Sequence, residues 1–448
     1  MTPSTSPRAV GGALRVNPFA PFPVPCHRVI SSKYFIGGFD GEWGTGEKIG
    51  DKREKLAAEG ITFDEQGYLT RTQSYARVGI MGNPSDGFYG KTISMLINKF
   101  SVKLTLLPNE LANNLTEYQI INFQSPENGQ VMYTFPNMNS LITTNPSIFD
   151  QDNRGNSLLW ATCKVFHEYC KTHDIPFHSH DDNKGFTISF KTTIPRQVGL
   201  SGSSAIITAF WKALMIFYGV SRNQISFEVQ ASLVLAVEKD VLGIFAGLQD
   251  RVIQTFGGLM FMDFGKAYLE KQGFGKYERI SHENLPQGLW LAYETNPSDS
   301  GKIHSEVRTK WEAGDAQVIN AMNSFAEFAE QAKEILSRKI DTQQTRNFVR
   351  KELARLMNNN FSLRRELYGD HVLGPANLLM IEISHKYGFA AKLTGSGGAI
   401  LGLLEGDDDN IDVITKNVED LKSHLEREGF AFEWIKIQLP EIPEKIEY

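Results

Sequence analysis

Apolar and polar residues alternate over residues 75–81, 101–107 and 185–191, the two-residue period of half-buried strands. Between them, Leu158, Thr162, Val165, Phe166 and Tyr169 recur at helical spacing within residues 157–171. Residues 203–218 predict an apolar helix directly after a Gly-rich loop, and 227–239 another helix. Further on, 289–293 reads as a short strand, and 316–338 and 342–358 as long helices with charged outer faces. Residues 375–387 form a helical pattern, 392–404 a strand or strand pair around a Gly turn, and 414–428 a last helix before a strand at 430–439. Short β-type runs and helices alternating in this way predict an α+β protein. No solenoid period is visible. The polar stretch 265–275 marks a boundary, which divides the chain into an extension at 1–70, a first domain at 71–264 and a second at 265–448.

Composition narrows the partners. With 448 residues, 41% of them hydrophobic, the chain is long and apolar enough to bury more than one core. Lys and Arg total 46 against 52 Asp and Glu, a formal charge of −6, which gives no electrostatic reason to expect nucleic acid and favours a small ligand. Nothing in the sequence implies an obligate protein partner. Three cysteines, Cys26, Cys163 and Cys170, point to a reducing compartment such as the cytoplasm, and no apolar run is long enough for a bilayer. The first 39 residues hold Arg8, Arg15, Arg28 and Lys33, no acid, and much Ser, Thr and Pro. Transit peptides share that composition, but the frequent prolines and missing amphipathic helix favour a loose extension.

The most informative run is Pro195-Arg196-Gln197-Val198-Gly199-Leu200-Ser201-Gly202-Ser203-Ser204-Ala205, between a strand and an apolar helix. Small residues let backbone N–H groups approach an anion, and the helix start adds partial positive charge. No Gly-Lys-Ser or Gly-Lys-Thr closes the loop, so it is not a Walker A loop. Three more segments belong with it. Ala76-Arg77 to Asp86 brings a cation and a carboxylate to one strand and turn, Glu238 to Asp250 sets two carboxylates around a Gly-containing loop, and Gly395-Ser396-Gly397-Gly398 is a second Gly-rich turn.

In this order and spacing the Gly-rich blocks resemble the small-molecule kinases of the galactokinase, homoserine kinase, mevalonate kinase and phosphomevalonate kinase (GHMP) superfamily, and the stretches between them resemble plant-type glucuronokinases from about Tyr75 onward. The resemblance implies a two-domain α+β GHMP kinase, with an N-terminal domain like domain 2 of ribosomal protein S5 and a ferredoxin-like C-terminal domain. It implies ATP and Mg²⁺, and phosphorylation of the anomeric hydroxyl of D-glucuronate to the 1-phosphate. Galacturonate, a heptose phosphate or a neutral aldose are alternative substrates, and a non-catalytic ATP- and sugar-binding sensor is the alternative of another class.

Residue by residue, the resemblance puts the ATP phosphates on Pro195, Gly199, Leu200, Ser201, Gly202, Ser203, Ser204 and Ala205, with Gly395, Ser396, Gly397 and Gly398 closing the site. Ser203 or Ser204 together with Glu238 would hold Mg²⁺ through hard oxygen ligands. Asp250 would orient and deprotonate the sugar hydroxyl, steadied by Arg77. Asp86 would bind sugar hydroxyls with help from Asn83 and Ser85, whose Asn-Pro-Ser-Asp setting also makes a sufficient turn.

A sugar acid also needs a cation for its carboxylate. Arg251 beside Asp250, and Lys91, Arg196 and Lys302, are the candidates. The second Asn-Pro-Ser-Asp, 296–299, reads as a turn. Cys163, His167 and Cys170, followed by His173, His178 and His180, are conceivable zinc ligands, set against a core reading of the same helix face.

Overall fold

The computed structural model describes residues 27, 36–43, 46–58, 61–63, 69–109, 120–125, 127–149, 155–176, 185–297, 305–405 and 411–435. Before the first domain a helix α1 (Glu47–Ala58) and strand β1 (Ile61–Phe63) gather a small cluster of Ile36, Ile49 and Leu56. Lys52 is buried beneath it and donates to Ile36 O at 2.5 Å and Gly38 O at 3.2 Å.

Strands β2 (Leu69–Met81) and β3 (Lys91–Pro108) form a long antiparallel pair whose register shifts at Tyr75/Ala76. The shift matters because β3 serves two neighbours on its other edge. Residues 102–108 pair with β6 (Phe186–Thr192), whereas 91–95 pair with β7 (Leu259–Asp263). β4 (Ile121–Gln124) lies parallel to β6 and antiparallel to β5 (Val131–Phe135). The eight-stranded sheet is completed by β8 (Lys276–Arg279) on β7. The first sheet therefore runs past the expected boundary at residue 264, and the passage to the second sheet falls between Arg279 and Trp290.

Helices α2 (Met138–Thr143), α3 (Gly155–Thr172) and α4 (Gly202–Tyr218) follow the same sheet. α4 is apolar on nearly every side and accordingly almost wholly buried, with Tyr218 stacked on Phe166 of α3 and Trp211 meeting the same ring edge-on. Cys163 and Cys170 lie in this core, where burial pushes both thiols up, Cys170 to about 12, so the helix face is packing. Among the described residues no group of three or more His, Cys, Asp and Glu could hold a metal ion, and His178 and His180 lie outside them.

α5 (Phe227–Ala236), capped by Ser226, runs into a π-helical turn at Val237–Val241 that carries Glu238. α6 (Gln249–Phe256) then places Asp250 in its first turn. A short α7 (Lys266–Gln272) precedes β8.

The second sheet is antiparallel, β10-β11-β9-β12, built from β9 (Trp290–Glu294), β10 (Phe389–Leu393), β11 (Ala399–Leu404) and β12 (Phe430–Trp434). Gly402 lies opposite Trp290, and a Cβ there would strike the indole at 2.0 Å, so glycine is what lets this ring lie flat in the core. The helices of this half are α8 (Ser305–Glu312), α9 (Ala316–Leu336), α10 (Gln343–Tyr368), α11 (Asp370–Leu373), α12 (Pro375–Lys386) and α13 (Ile411–Arg427). Asp315 caps α9 through Gln317 N and Val318 N, and Thr342 caps α10 through Thr345 N. No described helix is long and apolar enough to cross a membrane.

Candidate active site

The two halves meet along a buried hydrogen-bonded seam. Gly79 N–H donates to Thr394 O at 3.1 Å, and a Cβ on Gly79 would lie 2.5 Å from that oxygen, so the strands close only because the residue is glycine. Asn83 donates to Leu393 O at 3.2 Å, and its Oδ1 accepts from Lys392 Nζ at 2.5 Å. Asn360 of α10 accepts from Gly82 N at 2.9 Å and donates to Asn83 O at 3.1 Å.

At the end of this seam Arg77, only 3% exposed, grips Asp250. Nε donates to Oδ1 at 2.8 Å, Nη2 lies 2.6 Å from the same oxygen, and Nη1 donates to Thr394 O at 2.5 Å. Burial by itself would raise the Asp250 pKa, but the Arg77 and Arg251 charges and the Ser201 hydroxyl outweigh it and hold the carboxyl below its usual range. Oδ2 lies 3.4 Å from Arg251 Nη1, a long contact that leaves it accepting capacity.

The two Gly-rich loops face each other as bare backbone. A Cβ on Gly395 would sit 2.3 Å from Gly199 O, and one on Gly398 2.8 Å from Val198 Cα. Ser201 takes the left-handed φ of 64° and makes no side-chain cap. The first helical bond of α4 is Ala205 N–H to Ser201 O, which leaves the N–H groups of Gly202, Ser203 and Ser204 at the open helix start.

The loop residues divide. Leu200 and Ala205 turn their side chains into the core, Leu200 O accepts from Arg77 N at 3.3 Å, and Ala205 N–H is already used by Ser201 O, so Ala205 offers no backbone donor. Ser203 is exposed and donates to Glu238 Oε1 at 2.7 Å, whereas Ser204 is buried and donates back to Ser201 O at 3.2 Å. Of the two serines expected at a metal, the geometry thus selects Ser203. Ser203 and Glu238 fit Mg²⁺, which takes few protein oxygens and keeps waters and phosphate oxygens for the rest.

Arg251 is 4% exposed, with Nη2 on Glu238 Oε2 and Nη1 on Gly247 O at 2.9 Å. Spent on two carboxylates, it is not the free cation expected for a substrate carboxylate. Lys91 is paired with Glu330 at 2.5 Å and Asp263 at 3.5 Å. Arg196 lines an open cavity of about 580 Å³ with Gln197, Tyr293, Asn296 and Pro297, and Lys302 lies outside the described residues, as does Asp299 of the second Asn-Pro-Ser-Asp.

Asn83 and Ser85 also depart from expectation. Asn83 is consumed by the seam, and the fully buried Ser85 hydroxyl donates to Lys91 O at 3.0 Å and accepts from Lys91 N at 3.1 Å. Both shape the turn with these bonds. What the turn presents is Asp86, whose Oδ2 a Cβ on Gly247 would meet at 2.1 Å. Burial first, then the charge of Asp250, raise the Asp86 pKa to about 6 against the pull of Arg77.

Two neighbours were invisible to motif reading. Lys392, 1% exposed, donates to Gly79 O at 3.1 Å and Leu393 O at 2.8 Å, and burial with the charges of Arg364 and Arg77 holds its pKa well below the usual lysine value. Arg364 of α10, also 1% exposed, donates to Gly395 O at 2.8 Å and Ser396 O at 3.2 Å.

Residues 157–258 match the GHMP kinases N terminal domain and 345–423 the GHMP kinases C terminal domain. Over 369 residues the chain is 41% identical to "Probable glucuronokinase 2" of Arabidopsis thaliana, covering 82% of this chain and 90% of that protein. The chain belongs to the glucuronokinase family of GHMP kinases. The kinase family implies ATP as phosphoryl donor, and the glucuronokinase relatives mark the chain as a phosphotransferase with an alcohol group as acceptor. The fold agrees. Mevalonate kinase from Methanococcus jannaschii superposes with a TM-score of 0.58 at 19% identity, over 82% of this chain and 98% of the other.

Outside the kinase region, residues 1–61 match the 6-O-methylguanine DNA methyltransferase, DNA binding domain. Over 61 residues, 14% of this chain, the sequence is 44% identical to a methylated-DNA–protein-cysteine methyltransferase of Methanothermobacter thermautotrophicus, 31% of that protein. These residues, expected to form a loose extension, thus carry a likeness to a family other than the kinases. Net charge over 448 residues carries no information about a segment this short.

Proposed function

We propose that the protein is an ATP- and Mg²⁺-dependent glucuronokinase that transfers the γ-phosphoryl group to the anomeric hydroxyl of D-glucuronate, giving glucuronate 1-phosphate, and that it works in the cytoplasm. The observation that carries the reading is the Arg77–Asp250 ion pair beside Asp86, at the foot of two Gly loops in backbone contact, in a chain related to glucuronokinases over most of its length.

The residues divide the work. Asp250, held ionised, accepts a hydrogen bond from the sugar hydroxyl on Oδ2, aims its oxygen and receives the proton as transfer proceeds. Arg77 fixes the carboxylate and adds positive charge where negative charge develops. Asp86 accepts from neighbouring sugar hydroxyls. The open N–H groups of Gly202, Ser203 and Ser204 bind phosphate oxygens, with Ser203 and Glu238 holding Mg²⁺, which when bound neutralises phosphate charge. Catalysis is then positioning and electrostatics.

The test is ADP release with MgATP across glucuronate, galacturonate, galactose, arabinose and a heptose phosphate. Glucuronate-selective turnover with the 1-phosphate as product is the expected result. Turnover on another sugar alone would discard the substrate assignment, and binding without turnover across the panel would make the protein a sensor.

A further inference from the structure

Around the site lie four deeply buried cations, Arg77, Arg251, Arg364 and Lys392, and three carboxylates, Asp86, Asp250 and Glu238. Arg77 and Arg251 are in contact with Asp250 and Glu238. Lys392 has only neutral oxygens around it, but an amine can lose its proton on burial. Arg364 has no such escape, because a guanidinium keeps its charge in proteins. Its hydrogen bonds go to two backbone carbonyls, its Cζ lies 5.6 Å from the Tyr368 ring centroid, and its buried Nε–H has no partner among the described residues. Among the described residues, Asp86 is the carboxylate whose charge acts on Arg364, without a hydrogen bond between them.

A buried charge lacking a counter-ion is costly unless a ligand supplies one. Arg364 holds the Gly395–Ser396 backbone of the second Gly-rich loop and feels the charge of Asp86, and the cations that the sequence offered for this role are paired, line another cavity or lie outside the described residues. We infer that Arg364 anchors the carboxylate of the sugar acid through its unpartnered Nε–H edge and so selects an acid over a neutral sugar. The inference rests on the glucuronate reading and names the residue that imposes it. A site built to pair a substrate group discriminates strongly against the analogue lacking that group, because its own polar atoms are then left unpaired.

The experiment compares wild type, Arg364→Met and Arg364→Lys in steady-state assays with glucuronate, glucose and ATP varied in turn, with thermal melting of each protein as a check on folding. Arg364→Met is expected to raise KM for glucuronate about 30-fold or more, with KM for ATP within about twofold and a far smaller loss on glucose. Arg364→Lys, which keeps charge and loses the fork, is expected to fall between. An equal loss on both sugars would reduce Arg364 to a pin for the Gly395–Ser396 loop, and a matching rise in KM for ATP would make it a phosphate anchor; either overturns the inference. If the Met variant does not fold, Arg364→Lys decides, and an unchanged glucuronate KM overturns the inference.

The two readings fail separately. Wild-type turnover of galacturonate in place of glucuronate discards the glucuronate assignment and keeps the anchor, provided Arg364→Met loses that acid. Preference for neutral sugars overturns both.

Discussion

The two sides of the active site manage charge in opposite ways. On the phosphoryl-transfer side the ions are closed into pairs: Arg77 with Asp250, Arg251 with Glu238, and Ser203 on Glu238. On the side proposed for the sugar they stay unpaired: Asp86 has been pushed up in pKa, Lys392 rests on neutral oxygens, and Arg364 has an unused Nε–H. Paired charges in a low-dielectric site are already oriented and need no rearrangement when charge develops in the transition state. Unpaired ones await their partner, so the transfer side should be read out in kcat and the sugar side in KM and selectivity.

The largest effect that could break this contrast is at Asp250. Asp250→Asn is expected to lower kcat about 10³-fold while ATP affinity by calorimetry changes less than about twofold; near-normal turnover would remove Asp250 from the chemistry. Next, Glu238→Gln is expected to cost about 10²-fold in kcat and to raise the Mg²⁺ concentration for half-maximal rate. A Mg²⁺ titration superposing on wild type would confine Glu238 to holding Arg251.

Asp86→Asn tests the open side. KM for the sugar is expected to rise about tenfold, and the acid limb of the wild-type rate profile, placed near pH 6 by the raised pKa, should disappear. Stability should move the other way. Ionising Asp86 is harder in the folded chain than in the unfolded one, so its penalty is absent below about pH 4, grows as pH rises to about 6 and is full above that. The variant is therefore expected to melt higher than wild type at pH 8 and alike at pH 4. The smallest effect is at Ser85→Ala, which loses the bonds to Lys91 and is expected to cost about 1 kcal/mol of stability with sugar KM within about twofold. A large KM change would return Ser85 to the ligand.

What sequence made legible was the part whose signal is local. The Gly-rich loops, the apolar helix after the first of them and the strand carrying Arg77 follow from steric permissiveness and periodicity, and all stand close to where they were expected. The helix expected at 342–358 runs to Tyr368 instead. Asn358, Asn359 and Asn360 have poor intrinsic helix propensity, and a propensity argument stops there. Tertiary contacts outweigh it: Asn360 is 1% exposed and doubly bonded to the turn at Gly82 and Asn83. Ending the helix early also hid Arg364, which lies in the omitted turns. Asn83, Ser85 and Arg251 show the complementary limit. A residue type suited to a ligand is equally suited to a seam, a turn or an ion pair, and only distance and burial separate these uses.

Asn360 and Arg364 are four residues apart on α10 and thus share a face of the helix. One clamps the first domain to the second, and the other holds the Gly395–Ser396 turn and, by our inference, the substrate carboxylate. A sugar acid seated on Arg364 would brace the very turn of helix that holds the halves together. Recognition and cohesion are then one mechanical unit, in which a lineage changing its sugar at position 364 must leave position 360 undisturbed or lose the joint along with the preference.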